Sequence, residues 1–393
     1  MALSTTDLIF LQSPTGSNLL AELAQEDLSP SAILPLVTRL RQTYSPEQIQ
    51  PALTMAQLRQ SAVPKFGADA RVLFFTDDAL QQASDPAIRA YRAQGSAGLR
   101  VLDVCCGIGT DSIAFARAGA IVQGLDNDPI RIAIARHNAT QLRLPIQFDV
   151  ADVTHGIATA DYDLIFYDPA RRDADGNRLY DVEHYIPPLS LMHGWHAPRI
   201  MTKISPGVDL AQLSAYQASV EFISVGGDLK EAVLQQPLTI PLRATRIDAD
   251  GIAHHWDNDG DASPVALAEP QGWLCEPDPA ILRANLVQQV TTHYDGTMLD
   301  ETIAYFCTTH APSSEWVRAW RIREWLPFNL KHLRARLRAQ DVGTLTVKKR
   351  GSPIQPQDLI RRLKLKGSTS ATVVLTRYRE NPIAIICDDI LAL

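Results

Sequence analysis

The stretch Val101-Leu-Asp-Val-Cys-Cys-Gly-Ile-Gly-Thr110 restricts what this 393-residue chain can fold into more than any other. The largely apolar run from Leu99 to Val104 reads as a buried strand carrying one acidic residue, Asp103. It breaks into two glycines, Gly107 and Gly109, and a helical pattern follows at once. Glycines at a strand-to-helix turn let backbone approach a ligand with no Cβ in the way. A second strand, Ile121 to Leu125, ends in Asp126, with Asn127 beside it. A carboxylate there can accept both hydroxyls of an adenosine ribose. The sequence therefore predicts the opening of a nucleotide-binding α/β sheet.

Two phosphate-binding readings fail on single residues. A dinucleotide turn needs G-x-G-x-x-G, and Ser112 stands where the third glycine would be. A P-loop needs a lysine that this turn lacks. Asp103, four residues before the first glycine, instead suits S-adenosylmethionine, whose cationic amino-acid end needs carboxylates rather than a phosphate nest. The alternative is a glycine-rich turn in an unrelated α/β domain.

Strands are predicted at 99–105, 121–126, 146–150, 163–167, 199–204 and 220–225, with residues 228–235 leading into a seventh. Helices at 111–118 and 129–142 alternate with them, which gives a Rossmann-like, doubly wound parallel sheet over residues 97–245. Ligands of such sheets sit at the carboxyl ends of the strands. Asp103, Gly107, Asp126, Asp152 and Asp168 all fall on that edge. Asp152 fits the residue that accepts from an adenine amino group; Asp149 could take that role, or Asp152 could be a solvated loop carboxylate.

Residues 1–96 read as a helical N-terminal region, with prolines directly after Ser29, Ser45 and Asp85. Residues 246–272 read as a linker with hairpin turns at 248–251 and 257–261. A calcium loop starting at Asp257 is rejected, because Ala262 occupies the sixth position, where glycine is needed. Residues 273–393 read as a compact α/β domain. It has helices at 279–290, 330–339 and 356–365, and strands at 302–307, 319–326, 344–348, 371–378 and 383–387.

A net charge of −7 alone argues against a nucleic-acid partner. Its distribution argues the other way. From Trp316 to Glu380 there are 16 Lys and Arg against 4 Asp and Glu, while the rest of the chain carries 21 against 40. Lys331, Arg334 and Arg338 share a predicted helix, and Lys348, Lys349 and Arg350 stand at a strand end. Trp316, Trp320, Trp325 and Phe328 are interleaved with these cations. The pattern fits a phosphate-binding face; a solvated surface over an aromatic core is the plain alternative. The five cysteines have no metal-ligand spacing, so no metal is expected. With no signal-like N-terminus and no long apolar run, a cytoplasmic protein without a membrane partner is expected. The sequence carries no signal for oligomeric state.

These residues together resemble the bacterial class I S-adenosylmethionine-dependent methyltransferases with a C-terminal THUMP-like domain. The resemblance covers most of the chain. It rests on Lys65-Phe66-Gly67, Leu73–Thr76, Asp103–Gly109, Asp126–Pro129, Tyr167–Arg172, Gly227–Val233, Glu276–Ala280, Leu326–Phe328, Val347–Gly351 and Ala371–Arg377. The central part is also similar to trimethylguanosine synthase. The resemblance implies S-adenosylmethionine as cofactor, held by Asp103, Cys105 (a glycine in many members), Gly107, Gly109, Asp126, Asn127 and Asp152. Amino-methylating members carry Asp/Asn-Pro-Pro-aromatic after the fourth strand, where a side-chain oxygen and a proline carbonyl hold the target amine. Asp168 and Pro169 match that pattern, whereas Ala170 replaces the second proline and Arg171 the aromatic. The Arg171 plane could stack on a base or bind phosphate. An RNA target, tRNA or rRNA, methylated on a base nitrogen, is implied. Two alternatives stay open: a protein or small-molecule acceptor, or a non-catalytic RNA-binding protein of the same fold.

Overall fold

A computed structural model of the chain describes residues 3–173, 175–258, 260 and 264–388. Asp259, Asp261 and Ala262, on which the rejected calcium loop turned, lie outside the described residues. The chain divides into two compact units, Met1–Ser219 with Lys230–Thr239, and Val220–Leu229 with Ile240–Leu393.

The first unit opens with helices Thr5–Gln12, Pro14–Leu23, Pro30–Leu40, Pro46–Phe66, Asp77–Gln82 and Pro86–Arg92. Four of them begin at a proline, whose missing N–H is one that a helix start leaves unpaired anyway. Gln48 Oε1 accepts from the Ser45 N–H at 3.0 Å, and Asp85 Oδ1 from the Ala87 N–H at 2.9 Å, as the capping signals predict. The helices bury Leu19, Leu23, Leu40, Met55 and Phe75 in one core with Ile108 of the glycine turn and Ile134. Buried Asn138 fastens this contact. It accepts from the Phe74 N–H at 2.8 Å and donates to the carbonyls of Phe74 and Ile108 at 3.1 and 3.2 Å.

The strands that follow are β1 (Arg100–Val104), β2 (Ile121–Asp126), β3 (Gln147–Val150), β4 (Leu164–Tyr167), β5 (Arg199–Ile204), β6 (Ser219–Val225) and β7 (Asp228–Gln236). In the first unit the order is β3-β2-β1-β4-β5-β7, parallel except for β7, which runs antiparallel to β5. Register sets the site. Val104 lies opposite both Leu125 and Tyr167, and Tyr167 lies opposite Thr202. Cys105 and Asp168, which follow β1 and β4, therefore stand level with Asp126 at the end of β2 and Lys203 near the end of β5. Helices Thr110–Arg117 and Pro129–Gln141 supply the first crossovers. After β4 the alternation lapses into 3₁₀ turns, Val182–His184, Leu189–Gly194 and Leu210–Tyr216. Pro187, Pro188 and Pro198 deny that segment the N–H groups of an α-helix.

The second unit adds β8 (Leu242–Ile247) and β9 (Ala253–Asn258), so among the described residues nine strands rather than the expected seven precede residue 260. β8 pairs parallel to β6 and antiparallel to β9. The turn expected at 248–251 joins β8 to β9, with Asp248 Oδ1 accepting from the N–H groups of Asp250 and Ile252 at 3.0 and 2.9 Å. β9 carries His254 and His255 and lacks apolar alternation, which hid it in the polar stretch. Strands β10 (Trp273–Pro277), β11 (Thr297–Asp300), β12 (Ile303–Thr308), β13 (Val317–Pro327), β14 (Val342–Lys349), β15 (Thr369–Tyr378) and β16 (Asn381–Cys387) form a sheet ordered β11-β12-β10-β13-β16-β15-β14. The single helix expected over 279–290 is two, Pro279–Arg283 and Val287–His293, separated where Asn285 adopts φ +56°. Helices Leu330–Ala339 and Pro356–Leu363 bury Leu333, Leu337, Leu359 and Leu363 with Val373 and Ile386 of the sheet. Among the described residues no helix is long and apolar enough to cross a membrane.

Candidate active site

The turn after β1 is built as its glycines require. Gly107 adopts φ +56°, and a Cβ there would meet nothing within 4 Å. Gly109 adopts φ +83°, and its Cβ would come within 2.9 Å of the Phe148 ring. Cys105 takes φ +63° without being glycine, a backbone conformation that favours glycine. Asp126, 5% exposed, accepts from the Gly107 N–H through Oδ2 and from the Asp128 N–H through Oδ1, each at 2.9 Å. One lone pair on each oxygen is left for a ribose hydroxyl. Asp103 is buried; Ser112 Oγ donates to its Oδ2, while Oδ1 has no partner. Burial, then neighbouring Asp111, pushes its carboxyl well above the usual range.

An orphaned buried acceptor, an open cradle over Gly107 and a paired carboxylate at Asp126 fit S-adenosylmethionine. They match its cationic end, its close approach to backbone and its ribose. Bound there, the cofactor would supply an electrophilic methyl group. Asn127 is exposed beside Asp126. Asp152 is exposed too, and its Oδ1 accepts from the Thr154 N–H at 2.9 Å and hydroxyl at 2.6 Å, which holds its carboxyl below the usual range. Asp149 Oδ2 accepts from Gln123 and Gln147 at 2.7 and 2.9 Å. Replacing Asp126 by alanine should weaken cofactor binding by about 1–3 kcal/mol, because two ribose hydroxyls lose their acceptor. Calorimetry showing unchanged affinity would refute that assignment.

Beyond β4, the Asp168 carboxylate meets the Lys203 ammonium at 2.8 Å through Oδ2. Pro169 is buried, and Ala170 bridges to Ile186. Arg171 is half-buried and its Nη1 donates to the Ile204 carbonyl at 3.2 Å, so its guanidinium ties the β4 turn to the end of β5. Its expected role as a stacking plane competes with that bond. Behind this edge, fully buried Arg92 pairs with Asp111 and with Glu231, donates to Ser84 at 3.2 Å and sits 4.5 Å over Phe166. Neither this cluster nor Lys203 was foreseen. Lys203 left a trace, a lone cation in the otherwise uncharged run Ile200–Ile204; the Arg92 cluster joins residues 139 apart and left none. Lys65 donates to the carbonyls of Leu80, Gln81 and Ala83 at 2.8–3.1 Å, and Phe66 packs on Phe75 at 5.0 Å. Both residues therefore serve packing.

The basic surface of the second unit is also partly structural. Arg334 and Arg338 donate to the carbonyls of Arg362 and Lys364, at 2.6 and 3.3 Å. They thereby satisfy acceptors that the end of helix Pro356–Leu363 leaves open. Lys348 pairs with Glu276 and lies 4.4 Å over Trp320; Arg350 is 3.8 Å from Glu276. Lys331 and Lys349 face solvent, and so do Arg362, Lys364 and Lys366. Trp316 and Trp320 are buried, and Trp325 and Phe328 half-buried, so the aromatics form core. Among the described residues no group of three or more His, Cys, Asp or Glu could hold a metal.

Residues 101–170 match a family described as a methyltransferase domain, residues 317–389 one described as THUMP domain-like, and residues 4–62 a domain of unknown function. The chain is 34% identical over 312 residues to an uncharacterised S-adenosylmethionine-dependent methyltransferase of Mycobacterium tuberculosis, covering 77% of this chain and 84% of that one. It is 37% identical over 83 residues to a 23S rRNA (uracil-C5)-methyltransferase of Shewanella amazonensis, covering 20% of this chain and 19% of that protein. A solved structure of a candidate methyltransferase from Porphyromonas gingivalis aligns over 99% of both chains, with a TM-score of 0.78 at 19% identity. That likeness is one of fold.

Proposed function

Because the chain belongs to the S-adenosylmethionine-dependent methyltransferases, we propose that it methylates a base nitrogen in RNA, either tRNA or rRNA. One observation carries this reading. Asp168 and Pro169 follow β4 level with the glycine turn, and Asp168 Oδ1 takes no hydrogen bond from a described residue. A free carboxylate oxygen and the Pro169 carbonyl can accept the N–H groups of an amine and aim its lone pair at the methyl group. Catalysis is then largely positioning. The exposed cations Lys331, Lys349, Arg362, Lys364 and Lys366 would bind phosphate, and the local likeness to an rRNA methyltransferase points to the same substrate class.

That rRNA enzyme acts on a carbon, which needs a nucleophile to activate the ring. Here burial pushes the thiols of Cys105 and Cys106 well up, and those of Cys275 and Cys307 to about 12. A thiol rather than a thiolate is a poor nucleophile, which favours nitrogen.

Incubation with methyl-labelled cofactor and total cellular RNA tests the proposal. Label should enter macromolecular material that ribonuclease, not protease, renders soluble. Label in protein or in small molecules would overturn it. RNA affinity should also fall by roughly 10- to 100-fold between 50 and 200 mM salt, since a few phosphate contacts release their counterions. A salt-insensitive affinity would speak against the cationic face.

A further inference from the structure

We propose that Lys203 is a positioning residue for methyl transfer: it holds one oxygen of Asp168 so that the other faces the acceptor amine. The proposal rests on the reading of Asp168 as the acceptor's anchor. Lys203 lies in β5, one residue beyond Thr202, which pairs with Tyr167, so it stands level with Asp168, the residue that follows β4. Its side chain is 4% exposed, whereas that of Asp168 is 26% exposed. A buried ammonium is costly unless paired, and among the described residues its one short contact is the 2.8 Å bond to Asp168 Oδ2. Its other contact, the Gln82 carbonyl at 3.5 Å, is too long to satisfy it.

The consequence concerns the carboxylate. An aspartate at a strand end turns readily about its terminal bond and presents either oxygen. Here the buried ammonium fixes Oδ2, and Oδ1 takes no hydrogen bond from a described residue. Arg171 braces the same corner by donating to the Ile204 carbonyl, one residue beyond Lys203. The ends of β4 and β5 are thus cross-linked twice at the place where the acceptor would sit.

In the transfer, the acceptor nitrogen's lone pair forms the new N–C bond while the sulfur–carbon bond breaks, its electron pair remaining on sulfur. The nitrogen then sheds one N–H proton to Asp168 Oδ1, which passes it to water. Lys203 keeps its protons throughout and touches no reacting atom.

The test uses the full chain, methyl-labelled cofactor and RNA from cells lacking the gene. Lys203→Met should lower kcat by roughly 10- to 100-fold, with KM for RNA and calorimetric cofactor affinity within about threefold of the parent. Lys203→Arg should restore kcat to within about fivefold. On an Asp168→Ala background, Lys203→Met should cost no more than about twofold further, because the two side chains act as one unit. Lys203→Gln, which keeps a donor but no charge, gives the same comparison if the Met variant does not fold. An unchanged kcat in Lys203→Met or Lys203→Gln would overturn the proposal. So would an undiminished loss on the Asp168→Ala background. Full activity in Asp168→Ala itself would instead sink the reading of Asp168, a distinguishable outcome.

Discussion

Replacing Arg92 by alanine should destabilise the first unit by about 3–5 kcal/mol, because it strands two buried carboxylates without their cation. Arg92 is 4% exposed, Asp111 7% and Glu231 2%, so water cannot take over the guanidinium's role. The two acids belong to helix Thr110–Arg117, which follows the glycine turn, and to β7, while Arg92 ends the last N-terminal helix. One side chain therefore joins three elements around the site. Over a unit of this size the loss corresponds to a fall of roughly 6–20 °C in melting temperature. Arg92→Lys should recover only part of it, since a single ammonium cannot present two separate N–H edges to two carboxylates. A thermal melt of the alanine variant within a degree or two of the parent would contradict this picture of the cluster.

Replacing Asp168 by alanine should lower methyl transfer by at least roughly 100-fold while leaving cofactor affinity nearly intact. The loss appears in kcat because Asp168 orients the acceptor, and the ribose and amino-acid ends of the cofactor are assigned to Asp126 and Asp103. Asp126→Ala should show the opposite pattern, with weakened cofactor binding and a near-normal rate at saturation. Single-turnover rates and calorimetry on the two variants separate these roles. Equal effects of both substitutions on both quantities would contradict the division of labour.

The half of the candidate site proposed for the cofactor was legible because its signals are local. Asp103, Gly107, Gly109 and Asp126 are set by two strands and one turn within 24 residues, and each strand's apolar run fixes its register. The acceptor end was half legible. Asp168-Pro169 shows in the sequence, but Lys203 becomes its partner only because β5 pairs with β4. Arg171 looked like a stacking plane until the fold brought the Ile204 carbonyl within reach. The basic domain misled in a similar way. Arg334 and Arg338 share a helix face, as spacing predicts, yet their acceptors are backbone carbonyls some 26–28 residues away. Carbonyls leave no mark in a sequence. Lys348 likewise finds Glu276, 72 residues earlier. The charge excess was real, but part of it is taken up within the fold; Lys331, Lys349, Arg362, Lys364 and Lys366 are among the cations that face solvent.

Mass spectrometry of nucleosides from tRNA and rRNA, in cells with and without the gene, tests the central claim most directly. Deletion should abolish one nucleoside methylated on a base nitrogen. The parent gene should restore it, and the Asp168→Ala variant should not. An unchanged set of methylated nucleosides, or loss of a carbon-methylated base instead, would contradict the account.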